Sequence, residues 1–302
     1  MPQTYTVDKD YHNSRFDRWF KAKVISLPQS LVEKIIRLNK VKINRKKTKS
    51  SYRVQLGDII EVYDISKFKV SDRPKTLKYT PSRKEVDVYD DYIIENNDNF
   101  IVINKPSGIA VQSGTKSFKN IIDVLKKTKY FENTKPYIVH RLDKETSGLL
   151  IIAKTREYAQ LFTSLFRIRK IHKTYIALTY GKVKESIKTM NDELITIEND
   201  KKIIQKAISH LKVLKSNANY SYVELNPITG RKHQLRKQLY NIGNPIIGDD
   251  KYFINRRADK IKSKSKKLML HAYKIKFMIN EIQYNFKAKY NDDFEDYIKK
   301  NF

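Results

Sequence analysis

Two short apolar runs with a charged loop between them constrain this 302-residue chain more than any other feature. Tyr137–Val139 and Leu149–Ala153 have the length and β-branched content of buried strands. The loop that joins them, His140–Gly148, carries Arg141, Asp143, Lys144, Glu145, Thr146 and Ser147. A charged loop held between two core strands is where a fold displays reacting groups. The ordinary alternative is that Asp143 and Thr146 satisfy a tight turn and Gly148 supplies an unusual backbone angle.

Three further stretches bear on that choice. They are Asn104–Gly108 (NKPSG), Lys173–Tyr175 (KTY) and Gly230–Leu239 (GRKHQLRKQL). With the loop at His140–Leu150 they occur in the order found in the RluA-type RNA pseudouridine synthases, which the chain resembles from about residue 13 to its C-terminus. The family pattern is an N-K-P-x-G segment, an HRLD-x-x-TSG-L-L loop, a K-x-Y segment and a G-R-x-H-Q-[IL]-R helix start. Lys232, Lys237–Gln238 and Asn244 depart from the usual Thr, Val-His and His.

The resemblance implies the chemistry. Converting uridine to pseudouridine breaks the N1–C1′ bond, turns the uracil and joins C5 to C1′. Asp143 would attack C1′ or stabilise positive charge developing there. An ionised buried carboxylate needs a cationic partner, and the resemblance gives that role to Arg236. Without the motif, Arg236 reads as an ordinary surface arginine on a helix. Tyr175 would lie beneath the uracil and accept a proton at C5; without the motif it is a core tyrosine. Lys105, Leu142, Thr146 and Leu235 would line the substrate pocket. Reaching C1′ in structured RNA requires extruding the nucleotide, and Arg141 would fill the vacated space. Arg167, Arg169, Lys170 and Lys173 would grip the flanking strand. No cofactor and no metal is implied, and the histidines show no ligand spacing.

Composition sets wider bounds. The chain has 62 Lys and Arg against 33 Asp and Glu, a formal charge of +29. A surface this basic binds polyanions without a specific site. A composition rich in Lys, Asn, Ile and Tyr produces the same number, so charge alone names no partner. The absence of cysteine excludes disulfides, thiolate nucleophiles and Cys-ligated zinc, and fits a reducing compartment. No apolar run approaches the roughly 18 residues that span a bilayer. The start, MPQTYTVDKD, lacks a signal-peptide core. A cytoplasmic protein is the default expectation, taken here as a monomer, and the resemblance implies ribosomal RNA as its partner.

In chain order, residues 1–12 show no periodicity and read as a loose arm. Ser14–Asp17 fits a capping-box helix start, and Ser30–Glu33 repeats it, with Leu31, Ile35 and Leu38 on one face. Alternating Val41 and Ile43, a basic turn, Tyr52–Leu56 and Ile59–Val62 then suggest a small sheet. This pattern, with Arg15-Phe16-Asp17 at its start, resembles the S4 RNA-binding domain, assigned to residues 13–64. Lys42, Arg45, Lys46 and Lys47 would meet phosphates there rather than form a merely solvated hairpin face. Residues 65–88, with Pro74 and Pro81, read as an extended linker.

Residues 89–302 then form the larger domain. Tyr92–Glu95 and Phe100–Ile103 read as a hairpin, Ile121–Leu125 and Tyr158–Phe166 as helices, and Thr174–Tyr180 and Tyr220–Leu225 as strands. Residues 184–206 suggest a long exposed hairpin. Thr229 or Gly230 opens a helix that Gly243 stops. Arg256–Lys267 is basic and reads as a mobile segment. Leu268–Phe277 and Ile282–Tyr290 are strands, and Asp292–Lys300 is a helix. Many strands with few helices imply an α+β fold with a mixed, mostly antiparallel sheet crossed by a cleft. Within the family, the S4-like module and the sequence ending at Tyr252 are most similar to the RluC branch, which acts on large-subunit ribosomal RNA, with the RluD branch as the alternative. A catalytically silent RNA-binding or ribosome-assembly protein is the reading from another class, and Asp143, Tyr175 and Arg236 together argue against it.

Overall fold

The computed structural model describes residues 2–65, 68, 79–113, 118–198, 201–253 and 267–302. The chain divides into two compact units, Met1–Lys78 and Tyr79–Phe302.

The first unit consists of β1 (Gln3–Thr6), α1 (Phe16–Lys23), α2 (Gln29–Arg37), β2 (Val41–Ile43), β3 (Lys46–Lys47) and β4 (Ile59–Val62). Its antiparallel sheet runs β1-β4-β2-β3. Phe16, Trp19, Phe20, Val32 and Ile35 pack on Val41, Ile43, Ile60 and Val62. Several expectations change here. The N-terminal arm is partly an edge strand, because Gln3–Thr6 finds free backbone groups along β4. Neither helix has the capping box expected of it: α1 starts after Arg15, whose guanidinium pairs with Asp17, and α2 starts after Pro28. Val32 enters the core in place of Leu38, which is 50% exposed. Tyr52–Leu56 forms no strand, only a bridge between Arg53 and Arg15.

The second unit opens with α3 (Arg83–Asp87), in the part of the expected linker that lies among the described residues. Ser82 and Glu85 form its capping box. Pro74 and most of Arg256–Lys267 fall outside the described residues. Next come β5 (Ile93–Asn96), β6 (Phe100–Lys105), α4 (Ile121–Leu125), β7 (Tyr137–Ile138), β8 (Ser147–Ala153), α5 (Arg156–Arg167) and β9 (His172–Tyr180). The long hairpin is β10 (Thr189–Glu198) and β11 (Lys201–Ser216), followed by β12 (Tyr220–Pro227) and α6 (Gln234–Asn241). The unit closes with β13 (Leu270–Ile279), β14 (Ile282–Lys287) and α7 (Asp292–Asn301).

The ten strands form one sheet in the order β10-β11-β12-β9-β13-β8-β6-β5, with β14 on β13 and β7 on β8. Every described pairing in it is antiparallel except β8 with β13. The fold is therefore α+β with a mixed, mostly antiparallel sheet. Both faces of β6 and β8 are buried: Ile101, Ile103, Leu150 and Ile152 pack on α4 residues, and Phe100, Val102, Leu149 and Ile151 on Phe162 of α5. This explains why β8 reads as a continuous apolar run. Tyr137–Ile138, by contrast, is a short, partly exposed strand and not a buried one.

The parallel contact is where the reacting loop is set. Ser147 and Gly148 stand opposite His271 and Ala272. Gly148 has φ +106°, and a Cβ there would lie 2.3 Å from the Ala272 carbonyl oxygen. Gly148→Ala is expected to cost about 3–5 kcal/mol, because both the backbone angle and the strand approach forbid it. Urea unfolding of the full chain measures this, and a loss below about 1 kcal/mol would contradict the close packing.

Candidate active site

A cleft of about 1090 Å³ opens over the sheet. Its walls come from the loop after β7, the segment between α5 and β9, the start of β9, and the turn that leads into α6. The cleft brings together Asp143, Tyr175 and Arg236, with Arg141, Leu142, Thr146, Arg167, Arg169, Lys173 and Leu235. Two expected members stand outside it. Lys170 is exposed beyond α5 and does not line the cleft, and Lys105 is fully buried.

Lys105 supports the loop instead of touching a substrate. Its Nζ donates to the carbonyl oxygens of Pro106 (2.8 Å), Ile109 (3.0 Å) and Lys144 (3.2 Å). Burial pushes this ammonium down, to about 7, against the pull of Glu145 and Asp143. Gly108 N donates to Lys144 O (3.0 Å), and Ser107 Oγ to Glu145 O (2.7 Å). The NKPSG turn thus fastens the two carbonyls after Asp143, and Thr146 N closes the turn on Asp143 O (3.2 Å). His140 anchors the loop from its other end: its Nε2 accepts from Ile151 N (2.9 Å) and its ring lies 4.6 Å from that of Phe166. Burial, followed by the charge of Lys173, pushes its pKa down to about 3, so the ring stays neutral.

The Asp143 side chain is 25% exposed and faces His233 Nε2 at 3.7 Å. The expected pair between Asp143 and Arg236 is replaced by another. Arg236 Nε donates to Asp249 Oδ2 (2.7 Å) and Nη2 to Asp249 Oδ1 (2.6 Å), a two-point pair, with a further bond to Asp250 (3.2 Å). Burial opposes the Arg236 charge, and Asp249, then Asp143 and Asp250, overcome it and raise the pKa. Asp249 wins the guanidinium because its own side chain is wholly buried and has the larger need of a countercharge.

Tyr175 lines the cleft as expected, and its phenol keeps its proton. Burial first, and then the Asp143 charge, push its pKa above the ordinary value. The helix expected from Thr229 or Gly230 starts at Gln234, because His233 adopts a left-handed conformation with φ +53°. The Thr229 hydroxyl and Arg231 N instead donate to Gln234 Oε1 (2.7 and 3.0 Å), which makes a tight turn of the Gly230–His233 segment.

Residues 99–241 match the family described as RNA pseudouridylate synthase. The ribosomal large subunit pseudouridine synthase C of Rickettsia conorii is 37% identical over 277 residues, 87% of this chain and 88% of that one. The protein of the same name from Buchnera aphidicola is 30% identical over 97% of this chain and 95% of its own length. The chain belongs to the RNA pseudouridylate synthase family. A human structure of this family, RNA pseudouridylate synthase domain containing 4, matches with TM-score 0.60 at 27% identity, over 70% of this chain and 92% of that one.

The chain is thus an RNA pseudouridine synthase, an isomerase, and its departures from the family pattern sort by position. Gln238, fully buried, accepts from Ser209 Oγ (2.7 Å) and donates to Met190 O, Asp192 Oδ2 and Ala207 O, so it ties α6 to β10 and β11. Asn244 donates to Tyr180 O (2.9 Å). Lys232 alone among these lines the cleft. Sequence reasoning gave no role to His140, His233 or Asp249. His233 stood in a recognised motif, and an acid a short way beyond α6 was the available signal for a partner of Arg236.

Proposed function

We propose that this synthase isomerises specific uridines of large-subunit ribosomal RNA to pseudouridine, with Asp143 as the group acting at C1′ and no cofactor. The observation that carries the reading is a carboxylate, on a loop whose backbone is fastened, at the wall of an open, cation-lined cleft that a half-buried tyrosine also lines. The names of the relatives support the RNA class. Arg141, on the exposed part of the same loop, fills the gap left by the extruded nucleotide, and Arg167, Arg169 and Lys173 hold the flanking strand. Arg169 lies just past α5 with φ +60°, an unusual angle for a side chain of its kind. Leu142, Thr146 and Leu235 shape the pocket around the base. The protein acts as a cytoplasmic monomer in this reading; no described helix is long and apolar enough to cross a membrane.

The first unit is the S4-like RNA grip. Its β2–β3 hairpin turns on Asn44 and Arg45, both with positive φ, and exposes Arg45, Lys46 and Lys47 at the tip. Lys42 lies 5.6 Å over the Tyr63 ring. Deleting residues 1–78 is expected to leave an active isomerase with RNA affinity reduced ~10-fold or more and a shallower salt dependence, since several phosphate contacts are lost. Incubation with a large-subunit ribosomal RNA transcript, followed by a pseudouridine-specific chemical probe, tests both parts. Absence of any product from the full chain would refute the proposed substrate, and unchanged affinity of the shortened chain would refute the grip.

A further inference from the structure

A second set of polar groups, to which the reaction gives no role, runs from the cleft wall beside Asp143 back to the buried Arg236–Asp249 pair. His233 Nδ1 lies 3.0 Å from the Tyr252 hydroxyl, while Nε2 faces Asp143 Oδ1 at 3.7 Å. Tyr252 is held in turn. Its backbone N and that of Lys251 both donate to Asp249 Oδ1 (2.9 Å each), and its ring lies 5.2 Å from the Arg236 guanidinium carbon. Asp249 is the carboxylate clamped by Arg236. The four side chains therefore run in one line from the buried ion pair to the reacting carboxylate. The line ends in a non-glycine residue kept at φ +53°, a strained conformation that persists only where its surroundings fix it.

We propose that His233 is a positioning residue for Asp143, with its ring proton on Nε2 aimed at the carboxylate and Tyr252 fixing that tautomer from the other side. This rests on the reading of Asp143 as the group acting at C1′. The chemistry of the neighbours assigns the proton. An ionised carboxylate only accepts, so a bare Nε2 lone pair facing it would be repelled, whereas Nε2–H is attracted. Nδ1 is then an acceptor, and the Tyr252 hydroxyl donates to it. Burial lowers the pKa of the ring, Asp143 opposes that, and Arg236, Lys251 and Lys232 lower it further, which favours the neutral ring. At 3.7 Å the contact is open, and it shortens into a hydrogen bond when the carboxylate turns toward the substrate, as catalytic contacts tighten in the complex. Arg236 in this arrangement acts through Asp249 and Tyr252, not by pairing with Asp143.

The test uses the full chain, an in-vitro transcript of large-subunit ribosomal RNA, and four proteins: wild type, His233→Ala, His233→Gln and Tyr252→Phe. His233→Ala should lower the single-turnover rate ~10²-fold, the scale of losing one oriented donor beside a reacting charge, with RNA affinity and melting temperature close to wild type. His233→Gln, whose amide still donates, should recover ~10-fold of that loss. Nitrogen NMR of 15N-histidine protein should show the Nε2–H tautomer for the signal missing in the His233 variants, and a shift to a tautomer mixture in Tyr252→Phe. Wild-type rates in both His233→Ala and Tyr252→Phe, or an Nδ1–H tautomer in wild type, would overturn the proposal. If wild type forms no pseudouridine on this RNA, the functional reading fails separately. The tautomer then decides the positioning: Nε2–H sustains it and Nδ1–H overturns it.

Discussion

Asp143→Asn is expected to abolish isomerisation, by on the order of 10⁴-fold or more in single-turnover rate, while RNA affinity stays near wild type. The amide keeps the shape of the carboxylate and the backbone bond from Thr146 N to Asp143 O, so the loop stays in place. What it loses is the negative charge that attacks C1′ or balances the positive charge developing there. Affinity survives because most of it comes from the basic surface of a chain with a formal charge of +29, and one neutralised acid changes that little. Fold stability should also hold, since the side chain is 25% exposed and its described side-chain neighbour, His233 at 3.7 Å, makes no strong pair with it. Normal turnover by the purified variant would remove Asp143 from the chemistry.

The largest effect on stability is expected at the Arg236–Asp249 pair. Both side chains are buried, Arg236 at 5% exposure and Asp249 at 0%, and their two bonds are 2.6 and 2.7 Å. Removing one partner leaves an uncompensated buried charge, which costs roughly 3–5 kcal/mol. Asp249 would in addition lose the turn it makes with the backbone of Lys251 and Tyr252 if it were the residue replaced. Arg236→Ala and Asp249→Ala should therefore each destabilise strongly, and the double variant should cost clearly less than their sum. Arg236→Lys keeps the charge and loses the fork, so it should retain stability better than activity. The same cycle between Arg236 and Asp143 should show coupling of no more than about 0.5 kcal/mol. Urea unfolding of these variants measures all of this. Strong coupling to Asp143 with none to Asp249 would restore the pairing expected from the motif.

Much of the molecule was legible in the sequence because its signals are local. The apolar run Leu149–Ala153 required a strand buried on both faces, and β8 is that strand. Asp292–Lys300 carried acids first and lysines last, and helices form there and at Ile121–Leu125, capped by Asn291 and Asn120. The motifs also carried the cleft, since Asp143, Tyr175 and Arg236 do line one cavity. Strands were missed where backbone pairing alone decided them: Gln3–Thr6 has no apolar alternation, and it is a strand because β4 offers it an open edge.

The sequence by itself determined which residue types meet at the site and on which elements they stand, because periodicity and motif spacing are properties of the chain. Only the tertiary structure decided which charge neutralises which. Arg236 lies near three acids, and the choice among them depends on burial: the enclosed Asp249 cannot be solvated and takes the two-point pair, the exposed Asp250 takes a single bond, and the half-open Asp143 is left facing His233. Lys105 is a similar case. The motif puts this turn lysine at the substrate pocket, yet its ammonium is enclosed by three carbonyl oxygens of that turn and of the loop carrying Asp143, 39 residues further along the chain at Lys144. Desolvation and through-space neighbours set such roles, and neither is written in the order of the residues.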